Sequence, residues 1–497
     1  MVKSSRSSGT ASDFGGRFVL KGRRLLLVLL AAVQTACAPF DPYRLVDQSL
    51  LAGDPKRADA VIEQAEQEYG SRSRLLYQMD RGMTLHLAGE YARSNAELEK
   101  ADREVERLYT RVIRTEAVAF LTNDTLLPYE GDPYEHVMIN VIKALNYVGL
   151  GQLTEALVEA RQIDHRLNVL SDRVQAKDAY RNDAFARYLS GILYEASGDI
   201  NNAFIAYRNA YETYELTRGW SRVPPPPVLQ SDLLRTSEAL HLTTEFQEYR
   251  ERFPDVTWTS QAMQQQLAQV VVIGYNGRAP RKEDQFLDLP ISLDALQLVL
   301  LNRGLFRNPN RQGQRVSDSV LYGLNGRVVR VALPRLVPQK TQILYEEVTL
   351  SGQAGTSYTA RSQLIHDTTA LAEKALSERF TGLATKAVAR AAVKFSAAEA
   401  ATRGAQQAVH RDDAAWVGLL VSLLTKGLAV ASEESDKRSW RTLPDEIQIA
   451  RLWVPAGDYE VRVQPVGRNS ARTVAGRTRS LALKEGETKF LIERVVL

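Results

Sequence analysis

Small and apolar residues recur at helical spacing across residues 45–215. Residues 231–253 (SDLLRTSEALHLTTEFQEYRERF) return to the same period and predict one further helix. Between them Val223-Pro-Pro-Pro-Pro-Val228 predicts a stiff polyproline connector, because proline lacks the N–H that helices and central strands need. After Pro254 the pattern changes. QVVVIGYNGRAPRKE (269–283) reads as a strand entering a turn at Asn276-Gly277. Residues 326–337 and 342–352 read as further strands. Two helices are expected, one over 366–380 with the alanine-rich 383–403 and one over 414–432, and strands return at 446–465, 479–486 and 487–496. Pro455-Ala456-Gly457-Asp458 reads as the tight turn of a hairpin. The fold class is thus α plus mixed α/β. A helical solenoid is expected over 38–222 and a proline-rich connector with a capping helix over 223–260. A mixed α/β domain over 261–497 follows, with helices at about 366–432 inserted and a terminal β-hairpin region.

Four stretches repeat one pattern: LLAGDPKRADAVIEQA (50–65), LHLAGEYARSNAELEKA (85–101), VGLGQLTEALVEA (148–160) and EASGDINNAFIAYRNA (195–210). Each has a glycine and a small residue five positions on: Gly53/Ala58, Gly89/Ser94, Gly151/Ala156 and Gly198/Ala203. Glycine ends one helix in the left-handed conformation, and the small residue lets the next helix come close. The pattern resembles the tetratricopeptide repeat, a helix–turn–helix unit. The glycine steps of 36, 62 and 47 residues make the array irregular. The resemblance implies a concave face that binds a protein or peptide partner, with Asn140, Asn146 and Tyr188 as candidates for that surface and, equally, for packing or solvent positions.

The front of the chain has a separate meaning. Six basic residues (Lys3, Arg6, Arg17, Lys21, Arg23, Arg24) precede the apolar run Leu25–Val33. That run is too short to span a bilayer and fits the core of a secretory leader over 1–36. Arg23-Arg24 leaves open whether export is Sec or twin-arginine. Cys37 is the single cysteine of the chain, so no internal disulfide is available to it. Val33-Gln34-Thr35-Ala36-Cys37 resembles a bacterial lipobox, with Gln34 where Leu or Val is usual. The resemblance implies that Cys37 carries the lipid, palmitate-type acyl chains, and with Ala38 rather than Asp next it implies the periplasmic face of the outer membrane. Taken with the repeats, the chain resembles the tetratricopeptide-containing outer-membrane lipoproteins.

Composition narrows the chemistry. The formal net charge is +4, and the basic leader accounts for it, so nucleic acid is not expected as a partner. The histidines (His86, His136, His165, His241, His366, His410) share no metal-ligand spacing, and no glycine-rich phosphate loop or nucleophile elbow occurs. His86 and His165 are expected partly exposed on repeat helices. Glu346-Glu347 and Glu433-Glu434 read as solvated charge, and Arg278–Lys282 as a soluble basic loop. No enzyme, metal or cofactor is expected. Residues 414–432 hold one charge, Lys426, with Ser422 and Thr425 on the same helical side. They predict a core or oligomer-forming helix, with membrane contact as the alternative. The function expected is a non-enzymatic scaffold or assembly adaptor. The alternative is a structural subunit of an oligomeric outer-membrane secretion or surface-organelle complex.

Overall fold

In the computed structural model, residues 41–119, 125, 127–170, 183–290, 328–387, 434–468 and 476–495 are described. The leader, Cys37, His410 and residues 414–432 lie outside them. The helical half runs α1 (Pro42–Leu51), α2 (Pro55–Gln64), α3 (Arg74–Leu87), α4 (Tyr91–Ala119), α5 (Pro133–Gly149), α6 (Leu153–His165), α7 (Ala184–Ala196), α8 (Ile200–Ser221), α9 (Pro227–Ala239) and α10 (Thr243–Arg252).

These helices pair as hairpins, and the turns are built alike. Gly53, Gly89, Gly151 and Gly198 sit at φ +73°, +76°, +72° and +85°. The next residue donates its N–H to the carbonyl five positions back: Asp54 to Ser49, Glu90 to Leu85, Gln152 to Tyr147 and Asp199 to Tyr194, at 2.8–2.9 Å. This closes the orphan carbonyls of the first helix. The small residues fall where the spacing puts them, since Ala58, Ser94, Ala156 and Ala203 have no exposed surface. Inside two hairpins the helices approach so closely that only glycine fits. A Cβ on Gly82 would meet Leu98 at 2.4 Å, and one on Gly191 would meet Tyr207 at 2.4 Å.

A fifth hairpin was hidden from the glycine pattern. Residues 231–253 are not one helix: α9 ends at Ala239 and α10 begins at Thr243. His241 stands at the turn with φ +56°, and Leu242 N–H bonds the Ser237 carbonyl at 2.9 Å. The geometry is that of the glycine turns with a side chain in the glycine's place. The proline connector is also shorter than expected, because Pro227 is the first residue of α9, where a missing N–H loses nothing. A non-glycine residue in this conformation is strained by roughly 1–2 kcal/mol. His241→Gly relieves that strain and gives part of it back as unfolded-chain entropy. The expected net gain is about 0.5–1 kcal/mol in urea unfolding, with no gain from His241→Ala.

The second half is built of β1 (Ala268–Asn276), β2 (Arg281–Pro290), β3 (Val328–Val337), β4 (Ile343–Gly352), β5 (Ser357–Arg361), β6 (Gln363–Asp367), β7 (Glu446–Val454), β8 (Gly457–Gly467), β9 (Arg477–Leu483) and β10 (Thr488–Val495). A helix, α11, covers 368–387. One sheet has the order β10-β1-β7-β6, with β10 parallel to β1 and the other pairs antiparallel. The second sheet, β5-β4-β8-β9, is antiparallel throughout. Strands β2 and β3 form a two-stranded ribbon.

The two sheets pack face to face over Val270, Val272, Val348, Leu350, Leu452, Val461 and Val463. The alternate residues of the first sheet, Val271, Ile273, Tyr275, Ile447 and Ile449, face the other way and join the core of the helices. That explains why all nine residues of β1 are buried. The layers are helices, sheet, sheet.

Several sequence expectations change here. The first strand ends at Asn276, at the expected turn, but Arg281 and Lys282 open β2 instead of lying in a loop. His366 lies in β6, and the helix begins after it, because Asp367 caps it by accepting from Ala370 N–H at 2.9 Å. That helix runs unbroken to 387. Pro455–Asp458 does not close a hairpin: β7 belongs to the first sheet and β8 to the second. The same holds for β9 and β10. Both turns carry the chain over the edge of the sandwich, where alternation alone looks the same as a hairpin.

Candidate functional site

The face expected to receive a partner is the row of first helices, α3, α5, α7 and α9. The structure corrects this expectation. Every residue from Leu75 to His86 in α3, and from Pro133 to Asn146 in α5, is buried. A solenoid helix packed only on its neighbours would leave one side open. Here the first sheet covers it. The reason is in β1 and β7: both are buried on both faces, so the sandwich covers one side and the helices the other.

The candidate surface residues are accordingly internal. Asn140 donates to Glu159 at 2.7 Å, across its own hairpin. Asn146 donates to Ser94 and Asn95, each at 2.8 Å, and contacts His86 Nδ1 at 2.6 Å, tying the second hairpin to the third. His86 is buried, not partly exposed, and burial pushes its pKa down to about 4. Tyr188 donates to Asp232 at 2.8 Å beneath the sheet.

Each first helix sends a polar residue into the seam with the sheet. From α3, Asp80 accepts from Thr442 at 2.8 Å and from Tyr43 and Tyr69 at 2.6 and 2.9 Å. Burial raises Asp80 to about 6 despite those bonds. From α5, Glu135 accepts from the Trp440 N–H at 2.8 Å and from Tyr129 at 2.6 Å. Burial, then the nearby Asp132, raises it to about 7. From α7 and α9, Glu195 and Asp232 clamp Arg451 of β7, with Glu195 at 2.9 Å. Arg235 bridges the same two carboxylates at 2.8 and 2.9 Å. Burial would raise Glu195, but Arg235 and Arg451 outweigh it and hold it at about 2.

Beside Glu135 the seam opens into a cleft of about 120 Å³. Asp132 lies at its floor, held by Lys282 of β2 at 2.7 Å and Arg379 of α11 at 2.8 Å. Lys282 and Arg379, against burial, hold Asp132 down at about 2. Leu333, Leu376, Leu383 and Lys386 line the rest. At roughly 30 Å³ per water the cleft has room for about four waters or one side chain of a partner.

This arrangement suits clasping better than catalysis. Both oxygens of Asp132 and both of Glu135 are engaged, so neither carboxylate is free to move a proton to or from a substrate. Among the described residues no group of three His, Cys, Asp or Glu is placed to hold a metal ion. No described helix is long and apolar enough to cross a membrane. The sequence flagged none of the seam acids, since each is a lone polar residue inside an apolar helical stripe. Glu346, expected to be solvated, has no exposed surface, whereas its neighbour Glu347 faces Arg361 across the β4–β5 pair as a 3.9 Å ion pair.

No family model and no curated protein matches the chain. Among solved structures, MamA 41-end from Desulfovibrio magneticus RS-1 aligns at 17% identity and TM-score 0.27, over 44% of this chain and 95% of that one. A putative kinesin light chain with nearly identical TPR-like repeats, from Podosopora anserina, aligns at 17% identity and TM-score 0.28, over 43% of this chain and 92% of that one. Overlap of that extent carries no functional weight. The repeat character rests on this chain's own turns and close-packed hairpins.

Proposed function

We propose that the chain is a periplasm-facing outer-membrane lipoprotein, anchored through acylated Cys37, that acts as a non-enzymatic scaffold. The observation that carries the reading is the seam. Helical repeats that clasp a free peptide keep their inner face open, whereas here that face is spent on holding the chain's own sheet. The repeats therefore brace a rigid body, and its partner binds on the outside.

The outer row offers a place. A broad groove of about 770 Å³ runs between α8 and the prolines, lined by Leu216, Arg218, Pro224, Pro225 and Arg252. Leu216 is 72% exposed there. Leu216→Asp should leave the melt unchanged and lower by severalfold the amount of partner cross-linked from membranes and identified by mass spectrometry. Undiminished cross-linking removes this face from the reading. The anchor is tested separately. Cys37→Ser should abolish acyl labelling and release the chain from membranes. A variant still membrane-bound and processed at the same place refutes it.

A second reading, a subunit of an oligomeric secretion or surface-organelle complex, draws on the ribbon. Strands β2 and β3 join neither sheet, and Phe286 is 52% exposed on them. The ribbon buries Val331, Ala332 and Leu333 against the body and leaves Phe286 for a neighbour to cover. The solution mass of the anchor-free protein separates the two readings.

A further inference from the structure

We propose that the end of the body bearing Arg44, Arg278, Arg441 and Arg468 lies against the phospholipid headgroups of the bilayer that holds the anchor. The inference rests on reading Cys37 as acylated, and it adds which surface then meets the membrane.

The first argument is reach. Pro42, where α1 begins, is five residue steps along the chain from Cys37. A fully extended chain covers at most about 3.5 Å per residue, so α1 starts within roughly 17 Å of the acylated residue. A tether that short brings the start of α1 close to the headgroups and leaves little freedom to turn the body over.

The second argument is what surrounds α1. Arg44 is exposed on it. Asp47, one turn on, pairs with Arg278 at 2.9 Å. The Arg441 guanidinium lies 4.1 Å from the centre of the Tyr43 ring. Arg278 follows the end of β1, and there the Asp445 N–H bonds the Asn276 carbonyl at 2.9 Å. Lys340 pairs with Asp445 at 3.1 Å, and two residues further on the Gln342 carbonyl accepts from Arg468 N–H at 2.9 Å. So one end of the sandwich and the first helix form a continuous surface.

Its charge is unequal. Lys340 is answered by Asp367, Asp445 and Glu446, and Arg278 by Asp47. Arg44 and Arg468 are exposed and have no ion-pair partner among the described residues. These are cations left to solvent on the side the tether points toward. They suit the phosphates of phosphatidylglycerol and phosphatidylethanolamine, which lie within a Debye length of a docked surface. Leu344, 54% exposed at the same end, adds an apolar contact at headgroup depth.

The single cysteine makes the test clean, because acylation consumes its thiol and leaves an introduced cysteine as the only labelling site. Acylated protein in phosphatidylethanolamine–phosphatidylglycerol vesicles with a headgroup spin label is compared with a fluorophore at Leu344→Cys or at Gln247→Cys on α10. Quenching should be severalfold greater at 344 than at 247. Adding Arg44→Glu and Arg468→Glu should cut the quenching at 344, and high salt should do the same. Equal quenching at the two positions, or quenching at 344 indifferent to the charge reversal, overturns the proposal. Reaction of wild-type Cys37 with maleimide overturns the anchor instead. The surface is then judged by the same reporters in a Cys37→Ser background, added to vesicles from solution, where equal quenching again refutes it.

Discussion

Arg451→Leu should destabilise the protein by about 3–5 kcal/mol, the range for breaking a buried ion pair from one side. The side chain has no exposed surface and its guanidinium meets both Asp232 and Glu195. Removing it leaves those two carboxylates to Arg235 alone, so a net negative charge stays buried under the sheet. The pH dependence shows whether this is the cause. In the variant, Glu195 and Asp232 lose a cation and their folded pKa values rise above those of the unfolded chain. A raised acid adds stability below its unfolded pKa and loses it as pH rises through the folded one. The variant should therefore recover more stability than the wild type on acidification from neutral pH toward pH 4; in the wild type burial already raises Asp232, while Arg235 and Arg451 hold Glu195 down. Arg451→Leu with Asp232→Asn restores neutrality and should recover much of the loss at pH 7. An unchanged urea midpoint in the single variant, or no recovery in the double, would show that the seam does not hold the two layers together.

How legible was this in the sequence? The hairpins were, where glycine marked them. A left-handed turn, a small residue five on and a small residue at the close crossing leave a signature in residue type. The fifth hairpin left none, because His241 occupies the left-handed position at an energetic cost that the rest of the turn outweighs. Strand existence was legible in the alternation of β4 and β8, but sheet membership was not. Alternation says which face a residue takes, not which neighbour its strand finds, so two sheet-changing turns read as hairpins. The unbroken run Val270-Val271-Val272-Ile273 was the one available sign that the first sheet is covered on both faces. That sign, joined to a solenoid with an inner face to fill, predicts the seam. The polar residues within the seam could not be found this way. Asp80, Glu135 and Asp232 are each i+4 or i+3 neighbours of apolar residues, and their partners across the seam, Thr442, Trp440 and Arg451, are distant in the chain.

The seam also bears on how the two halves share stability. Tyr214 of α8 donates to the Ile365 carbonyl of β6 at 2.7 Å, and Val228 N–H bonds Gln363 at 3.0 Å. With the Arg451 clamp and the Thr442–Asp80 bond, these contacts run from the second hairpin to the last. The helices and the first sheet share one apolar core. Residues 43 onward accordingly form one compact unit, and a partner that pulled on the solenoid would load the sandwich as well.

Glu346→Gln should stabilise the protein at neutral pH. Glu346 projects from β4 into the sandwich, and both its oxygens lack a hydrogen-bond partner. Its carboxylate lies 2.3 Å from where a Cβ on Gly274 would be, so Gly274, the β1 residue beneath it, has no side chain to offer it. The groups facing it are Asn276 on β1 and Glu493 on β10. Glu493 is itself held by Arg477 at 3.4 Å and by Arg479. Burial, then Glu493, raises Glu346 to about 8, while Asn276 lowers it. The unfolded value is near 4.5, so folding takes up a proton between those two pH values. This acid's folded pKa is the higher one. Its contribution is fully present below about pH 4.5, falls as pH rises toward 8, and is constant above. At pH 7 the unfolded carboxylate is ionised and the folded one is not. At about 1.4 kcal/mol per pH unit, that difference disfavours folding by roughly 3 kcal/mol. Glutamine keeps the shape without the proton. The expected result is a gain of about 2–3 kcal/mol at pH 7 and little change at pH 4.5, measured by urea unfolding across that range. Glu347→Gln, one residue along and on the outer face of the same strand, serves as the control and should show neither. Parallel stability curves for wild type and Glu346→Gln between pH 4.5 and 8 would refute the neutral, buried carboxyl.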